Sequence, residues 1–487
     1  RAGGRTRIPS AVHDRSPRMS EIETDYLIVG TGCVGMAFAD TLVDECDADI
    51  VMVDGHAQPG GHWNDAYPFV TLHQPSSFYG VASTPLGRDR LDTRGLNAGL
   101  GELASGAEVQ HYFRTVMRDH LLPSGRVRYY PKSWWDGAGA FTSQLTGETT
   151  GVRVRRKIVD TTHLKTTVPS THTPSFAIDP DVRFMPPNEV PRLTAPPAGW
   201  VIVGGGKTAM DAILWLLEGG VAPAAITWIV SRDGWLIPRE TTQPRLECFE
   251  ATFTAQANQF EACAAATDVD DLFARLEAGG VLARLDPAVE PAMFHAPTVS
   301  RPELEALRSV RNLVRMGRVT RIGTHEIELD DGTVPTSSDH VHVDCSASAI
   351  PKQDPKTIFD GELITPQTVR AYQPAFSASV LAWIEAHYDD DAKKNALATV
   401  VPIPDDRLDW LKLTVANALN MRAWSSEPEL MKFLATNRLN GFAKLATQLD
   451  PQDAEKMALL GRMREAMVPG VMNLVKLIGD AEDRAGA

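Results

Sequence analysis

Residues 202–211 have the sequence Ile-Val-Gly-Gly-Gly-Lys-Thr-Ala-Met-Asp, which decides the fold class. The apolar run 200–203 predicts a strand, and the spacing of apolar residues over 208–217 predicts a helix. A strand, a glycine-rich turn and a helix in this order bind phosphate, because phosphate can approach the glycine backbone and the helix N-terminus favours its charge. The predicted contacts are Gly204, Gly206, Lys207, Thr208 and Ala209, the last at the third glycine position of the pattern, where alanine is allowed.

A second unit of this kind lies near the N-terminus. An apolar run ends at Gly30, and apolar residues at helical spacing follow. In this pattern Gly30 permits the tight turn, Gly32 admits the pyrophosphate, and Gly35 allows helix and strand to pack closely. We expect Cys33 and Val34, at the start of the helix, to lie beside the phosphates as well.

The residues that end the next strand differ between the two units. After the first unit the strand ends at Asp54, whose carboxylate is expected to accept hydrogen bonds from ribose hydroxyls. After the second unit it ends at Ser231 and Arg232, whose hydroxyl and guanidinium can hydrogen-bond a 2′-phosphate. The second unit is therefore predicted to select NADP(H), with Lys207 as a further phosphate contact. The alternatives are a first unit that binds nothing and an Arg232 that is only a solvated loop cation.

The composition of the chain limits the class of protein. Its 487 residues are 43% hydrophobic and carry a formal net charge of −14, which indicates a globular protein and argues against nucleic acid as a partner. No uninterrupted apolar run approaches the length of a membrane span. The five cysteines include no C-x-x-C pair, so we predict no disulfide framework and no metal site, and a reducing cytoplasm is the simplest setting.

Two further motifs resemble a known family of flavoproteins. Asp54 is followed by Gly60-Gly61-His62-Trp63, and this order resembles the second half of the FAD-binding signature in flavin-containing monooxygenases. Arg232, Trp235 and Pro238 resemble the run that follows the second nucleotide turn in class B flavoprotein monooxygenases. The chain is similar to this family, as a distant member, over roughly residues 20–380.

The resemblance implies FAD at the first turn and NADPH at the second. The FAD contacts that it adds are Gly55, Gly61, His62 and Trp63. It also implies a monooxygenase, in which NADPH reduces the flavin and dioxygen forms a flavin peroxide that oxygenates a small organic substrate.

The resemblance also points to candidate catalytic residues. Where these enzymes place an Asn beside the flavin, the nearest match here is His73 or Gln74. His73 could polarise the oxygen adduct or move a proton, because the ordinary pKa of histidine is close to neutrality, or it could only hydrogen-bond backbone.

One stretch departs from the family pattern. The family carries Phe-x-Gly-x-x-x-His before its second turn, whereas residues 184–191 have the Phe but neither the Gly nor the His. A dehydrogenase or reductase with the same cofactors and no oxygen insertion therefore stays open. A third hypothesis is a scaffold that binds FAD and NADP(H) without turnover.

The predicted fold class is α/β, with two Rossmann-like dinucleotide-binding domains, for FAD and NADP(H), and a helical C-terminal extension. Residues 1–18 are expected to be a disordered tail or an expression remnant. The expected divisions are 19–198 for the first part of the FAD domain, 199–339 for the NADP(H) domain with a helical insertion at about 240–310, 340–376 for the return to the FAD domain, and 377–487 for a helical cap. Helices are expected at 256–278, 301–314, 377–387, 405–423, 427–437 and 453–467. For the cap, a role in the substrate walls and a homodimer contact are both open.

Overall fold

The computed structural model describes residues 20–486, so the expected tail at 1–18 lies outside the described residues. The strands are β1 (Ser20–Val29), β2 (Ile50–Val53), β3 (Val127–Tyr130), β4 (Ser133–Trp135), β5 (Ala140–Ser143), β6 (Thr149–Asp160), β7 (Ala177–Ile178), β8 (Arg183–Met185), β9 (Gly199–Val203), β10 (Ile226–Ile229), β11 (Ile237–Pro238), β12 (Thr298–Val299), β13 (Leu313–Val314), β14 (Val319–Ile322), β15 (Glu326–Leu329), β16 (Gly332–Pro335), β17 (His340–Asp344), β18 (Phe359–Asp360) and β19 (Leu363–Ile364). The helices are α1 (Cys33–Glu45), α2 (Gly106–Val116), α3 (Lys207–Glu218), α4 (Phe249–Ala265), α5 (Val269–Ala278), α6 (Arg301–Ser309), α7 (Pro374–His387), α8 (Asp391–Ala396), α9 (Arg407–Ser425), α10 (Pro428–Thr436), α11 (Gly441–Gln448) and α12 (Ala454–Gly486).

The first sheet is built around β1. Its strand order is β18-β19-β6-β1-β2-β3, and β4 and β5 form an antiparallel extension on β6. β1 pairs in parallel with both β2 and β6. All four residues of β2 are buried, as expected of a strand covered on both faces of a parallel sheet.

The second sheet has the order β13-β10-β9-β17-β8, and every pairing in it is parallel. α3 connects β9 to β10 as a crossover helix. A smaller sheet, β16-β15-β14-β7, lies beside it. A first sheet with a parallel centre, a second sheet that is parallel throughout and the helical C-terminal region confirm the predicted fold class.

Two helical segments differ from the prediction. The helix expected at 301–314 ends at Ser309, and Leu313–Val314 instead forms β13 on the edge of β10. The edge of β10 offers hydrogen bonds that a further helical turn could not use: Trp228 and Val230 donate from their backbone N–H groups to residues of this segment. The helix expected at 256–278 is two helices, α4 and α5, separated by a break before the Asp268 N-cap.

α7 is a core helix of the first sheet and not part of an outer cap. Its residues 375–385 are buried, and it packs against α1 in the same hydrophobic cluster. Tyr26 of β1 donates to Glu385 at 3.0 Å, and the hydroxyls of Thr41 and Ser379 are 2.7 Å apart. Trp424 of α9 and Leu430 and Leu434 of α10 are buried in the same cluster as α7. α12 packs along α4 and α9.

None of the helices within residues 20–486 combines the length and the apolar character needed to cross a membrane.

Candidate functional site

The first glycine turn leads directly into the N-terminus of α1. Gly30 has φ of +96°, and a Cβ at Gly35 would overlap the carbonyl oxygen of Gly30, so both positions require glycine. Gly32 is the N-cap of α1 and carries no side chain that could satisfy the first N–H groups. These N–H groups, with Cys33 and Val34 at the helix start, form a suitable seat for a pyrophosphate.

The Gly60-Gly61 segment lies against this turn. The backbone N–H of Gly60 donates to Thr31 at 2.8 Å, and a Cβ at Gly61 would lie 2.8 Å from Cα of Gly32. His62 and Trp63 follow in a short 3-10 helix, and both line a large cavity. The predicted FAD contacts at 61–63 are thus brought to the first turn.

Asp54 accepts four hydrogen bonds from within the protein. Its Oδ2 accepts from the backbone N–H of Thr31 at 2.6 Å and from the Thr31 hydroxyl at 2.8 Å. Its Oδ1 accepts from the backbone N–H of His56 at 2.6 Å and from Nδ1 of His56 at 2.9 Å. A carboxylate has about four acceptor positions, and these four hydrogen bonds occupy them. A contact between Asp54 and a ribose hydroxyl remains a prediction, and it would require one of these bonds to be given up or shared.

His56 is held between two carboxylates. Its Nε2 lies 2.8 Å from Asp65 while Nδ1 contacts Asp54, and these hydrogen bonds raise the pKa of His56 to about 9. Burial raises the pKa of Asp54, but the hydrogen bonds from His56 and Thr31 lower it more. The pKa of Asp54 therefore lies below its ordinary value. His56 has no role in the sequence prediction, because nothing in its spacing distinguishes it from a loop histidine.

The second turn is equally tight. Gly204 has φ of +134°, and a Cβ there would overlap the backbone of Cys345, which follows β17. Gly206 is the N-cap of α3 and adds no side-chain cap. Ala209 is fully buried at the third glycine position. Thr208 lines the large cavity.

A groove of about 390 Å³ lies over this second turn, and Ser231 and Arg232 are among its lining residues. The other lining groups that bear on cofactor binding are residues 204–206, His295, Arg318, Ser346, Lys352 and Asp405. Arg232 pairs with Asp405 at 3.1 Å, and Nε2 of His295 lies 2.7 Å from the same carboxylate. The Arg232 and His295 contacts lower the pKa of Asp405. Asp405 lies more than 170 positions along the chain from Arg232, so sequence reasoning could not have found this pair.

Lys207 does not line the groove. Its ammonium pairs with Asp211 one turn further along α3, and both side chains are only 10% exposed. A contact between Lys207 and phosphate remains a prediction, and it would require this pair to separate.

A larger, mainly apolar cavity of about 490 Å³ adjoins the groove. The two spaces share His295, Ala347, Ser348, Ile350, Ile403 and Pro404 as lining residues. The small residues after β17 therefore line both the groove of the second turn and the cavity that reaches His62 and Trp63.

His73 and Gln74 both line this cavity. Nε2 of His73 lies 3.9 Å from Asp211, and its carbonyl oxygen accepts from Nε of the buried Arg239 at 3.1 Å. Enclosure in the cavity and the cations Lys207 and Arg239 lower the pKa of His73. Burial likewise lowers the pKa of His62 to about 4. Both imidazoles are therefore neutral near pH 7.

The fold and the two turns define an α/β protein with two dinucleotide-binding units. The chain is 43% identical over 481 residues to the uncharacterized protein Rv2000 of Mycobacterium tuberculosis, and the match covers 99% of this chain and 89% of that protein. The chain belongs to the same protein family as Rv2000. No protein-family model matches it.

More distant similarities carry functional names. A FAD-dependent monooxygenase of Pyrenophora dematioidea is 25% identical over 230 residues, which is 43% of this chain and 40% of that protein. A solved structure of a flavin monooxygenase from Stenotrophomonas maltophilia aligns with a TM-score of 0.45 at 15% identity, covering 77% of this chain and 98% of that one. The relative from Pyrenophora dematioidea confirms the predicted resemblance to flavin monooxygenases as a distant one.

Proposed function

We propose that the chain is an NADPH-dependent, FAD-containing oxidoreductase that oxygenates a small organic substrate. The observation that carries the proposal is that two spaces are adjacent: the groove of the second glycine turn shares lining residues with an apolar cavity that reaches His62 and Trp63, next to the first turn. A nicotinamide and a flavin must meet face to face for hydride transfer, and the adjacency of the two spaces supports such an arrangement. The distant relative named FAD-dependent monooxygenase supports the same cofactor.

The residues around the two turns suit these cofactors. The uncapped N-termini of α1 and α3 can each take a pyrophosphate. Arg232 lies in the groove, 40% exposed, where its guanidinium can bind a 2′-phosphate. Bound FAD would supply the redox chemistry, accepting hydride from NADPH and activating dioxygen.

The walls of the large cavity define what the protein itself would contribute. Val70, Leu72, Phe78, Phe376 and Leu413 are among its apolar lining residues, and they would exclude water from the reacting atoms. His73 is a neutral imidazole in this wall, so its Nε2 can accept or donate a proton. Gln74 beside it can orient a substrate or the flavin edge by hydrogen bonding.

The second candidate function is a dehydrogenase or reductase that uses the same cofactors without inserting oxygen. Residues 184–191 lack the Gly and the His that monooxygenases of this class usually carry, and this difference favours the second candidate. A scaffold that binds both nucleotides without turnover is the third.

One assay separates the three functions. The purified chain is examined for bound flavin, and NADPH oxidation is followed with and without dioxygen while released peroxide is recorded. A monooxygenase consumes dioxygen with NADPH and transfers oxygen to a substrate. Fast flavin reduction without oxygen reactivity would instead indicate a reductase, and no reduction would indicate a scaffold.

A further inference from the structure

The carboxyl ends of β2 and β3 carry an exposed aromatic side chain that the function proposed above does not use. Trp134, the central residue of β4, is 65% exposed although it is a large apolar side chain. Three atoms of its indole would lie 3.4–3.6 Å from a Cβ at Gly55, the residue that follows Asp54. The indole therefore lies beside the end of β2, on the edge of the sheet that also carries the first glycine turn.

This position is the place for the adenosine half of a dinucleotide. The strands β3, β2 and β1 are adjacent and parallel, and ligands of such sheets bind beyond the carboxyl ends of the strands. A pyrophosphate on the N-terminus of α1 would direct the adenosine toward the ends of β2 and β3. Asp54, the residue expected to hold the ribose there, has its acceptor positions filled by Thr31 and His56.

The backbone that carries the indole is fixed in this place. Lys132 has φ of +48°, and its backbone N–H donates to His56 at 2.9 Å. The backbone N–H of Ser133 donates to Asp54, also at 2.9 Å. Trp135 faces the other side of β4 and packs in the hydrophobic cluster around Phe141. The strained backbone at Lys132 is retained because these contacts fix it, as is common near binding sites.

We infer that Trp134 is the adenine platform of the first nucleotide site, and that the indole stacks on the adenine ring of FAD. In this arrangement Asp54 acts as an internal brace that fixes Thr31 in the glycine turn, and it is not a ribose ligand. Stacking on an aromatic side chain binds a nucleobase without reading its hydrogen-bonding edge. The inference rests on the proposed FAD site.

The test compares FAD with FMN, which has the flavin and one phosphate but no adenosine. The full-length chain is stripped of flavin and titrated with FAD or with FMN in a calorimeter. The natural protein is compared with the variants Trp134→Ala, Trp134→Phe and Leu145→Ala. Leu145 is the matched control, because it is also a large exposed apolar residue, at 77%, in the turn between β5 and β6.

Trp134→Ala is expected to raise the dissociation constant of FAD about tenfold or more and to leave that of FMN unchanged. Trp134→Phe should restore part of the FAD affinity, and Leu145→Ala should match the natural protein. Equal FAD affinity in Trp134→Ala and the natural protein would overturn the inference, as would an equal loss for FAD and FMN. If the natural chain binds neither flavin, the proposed function itself fails and this inference fails with it.

Discussion

The hydroxyl of Tyr67 donates a hydrogen bond of 2.7 Å to Oδ2 of Asp211. Tyr67 lies in the segment after the first glycine turn, and Asp211 lies on the helix after the second. Asp211 also pairs with Lys207 and has Nε2 of His73 at 3.9 Å. One carboxylate therefore ties the two nucleotide-binding units together beside the large cavity.

Removal of that carboxylate should destabilise the protein. Asp211→Ala leaves the ammonium of Lys207, only 10% exposed, without its partner, and we expect the free energy of unfolding to fall by about 3 kcal/mol. Tyr67→Phe removes one hydrogen bond to a charged group and should cost about 1.5 kcal/mol. Urea unfolding followed by tryptophan fluorescence measures both.

Asp119→Ala is the control for this prediction, because Asp119 forms an exposed ion pair with Arg118. Such pairs contribute little to the free energy of unfolding. An Asp211→Ala variant as stable as Asp119→Ala would show that the link between the two units has no energetic role.

Arg232 should decide between the two nicotinamide cofactors. In Arg232→Ala the KM for NADPH is expected to rise about tenfold or more, because charge-assisted hydrogen bonds to the 2′-phosphate are lost. The KM for NADH should change little. Steady-state kinetics with both cofactors measures the split.

Asp405→Asn provides the complementary variant, since it keeps the guanidinium but removes its carboxylate partner. It should bind NADPH at least as well as the natural protein. Loss of NADPH and NADH binding to the same extent in Arg232→Ala would show that the 2′-phosphate lies elsewhere.

His56 should make the stability of the first nucleotide unit depend on pH. Its hydrogen bonds with Asp54 and Asp65 raise its pKa from 6.5 to about 9, so the folded chain binds the proton more tightly than the unfolded chain. This contribution is fully present below pH 6.5 and is lost as the pH rises through 9. The thermal midpoint of the natural protein should therefore fall between pH 7 and pH 9.

His56→Gln is the variant that checks this origin. It should show a lower midpoint at pH 6.5 and a smaller fall between pH 7 and pH 9. A variant with the natural slope over this interval would assign the pH dependence to other groups.

His73 should affect turnover through its proton. Because burial and the nearby cations lower its pKa, any effect of its titration on kcat should appear below pH 6.5, where it becomes charged. His73→Asn is expected to remove this acidic limb and to lower kcat about a hundredfold if the imidazole acts as a general acid or base. The pH profile of kcat in both proteins gives the answer.

Gln74→Ala is the neighbouring control, since Gln74 lines the same cavity but does not titrate. If the pH profile of kcat is unchanged in His73→Asn, His73 only lines the cavity and does not transfer a proton in turnover.

The glycine turns could be predicted from sequence because they follow from local rules. Gly30, Gly35 and Gly204 occupy positions where the backbone or a close approach excludes a side chain, and such constraints appear in the sequence as fixed spacings. The fold class was predictable for the same reason, since two units with strand, turn and helix imply parallel sheets.

The contacts between distant segments could not be predicted in this way. The carboxylate of Asp54 accepts hydrogen bonds from Thr31 and His56, and only the folded turn brings these two residues to it. The pairing of Arg232 with Asp405 joins parts of the chain that no spacing rule connects. The strand at 313–314 arises because the edge of β10 is available, whereas its residues continue a helical pattern.

The most direct test of the account is anaerobic mixing of the flavin-loaded chain with NADPH, followed by the visible absorbance of the flavin. We predict that the absorbance is bleached rapidly by NADPH and much more slowly by NADH, and that it returns when dioxygen is admitted. A purified chain without flavin, or a bound flavin that NADPH does not reduce, would contradict the account.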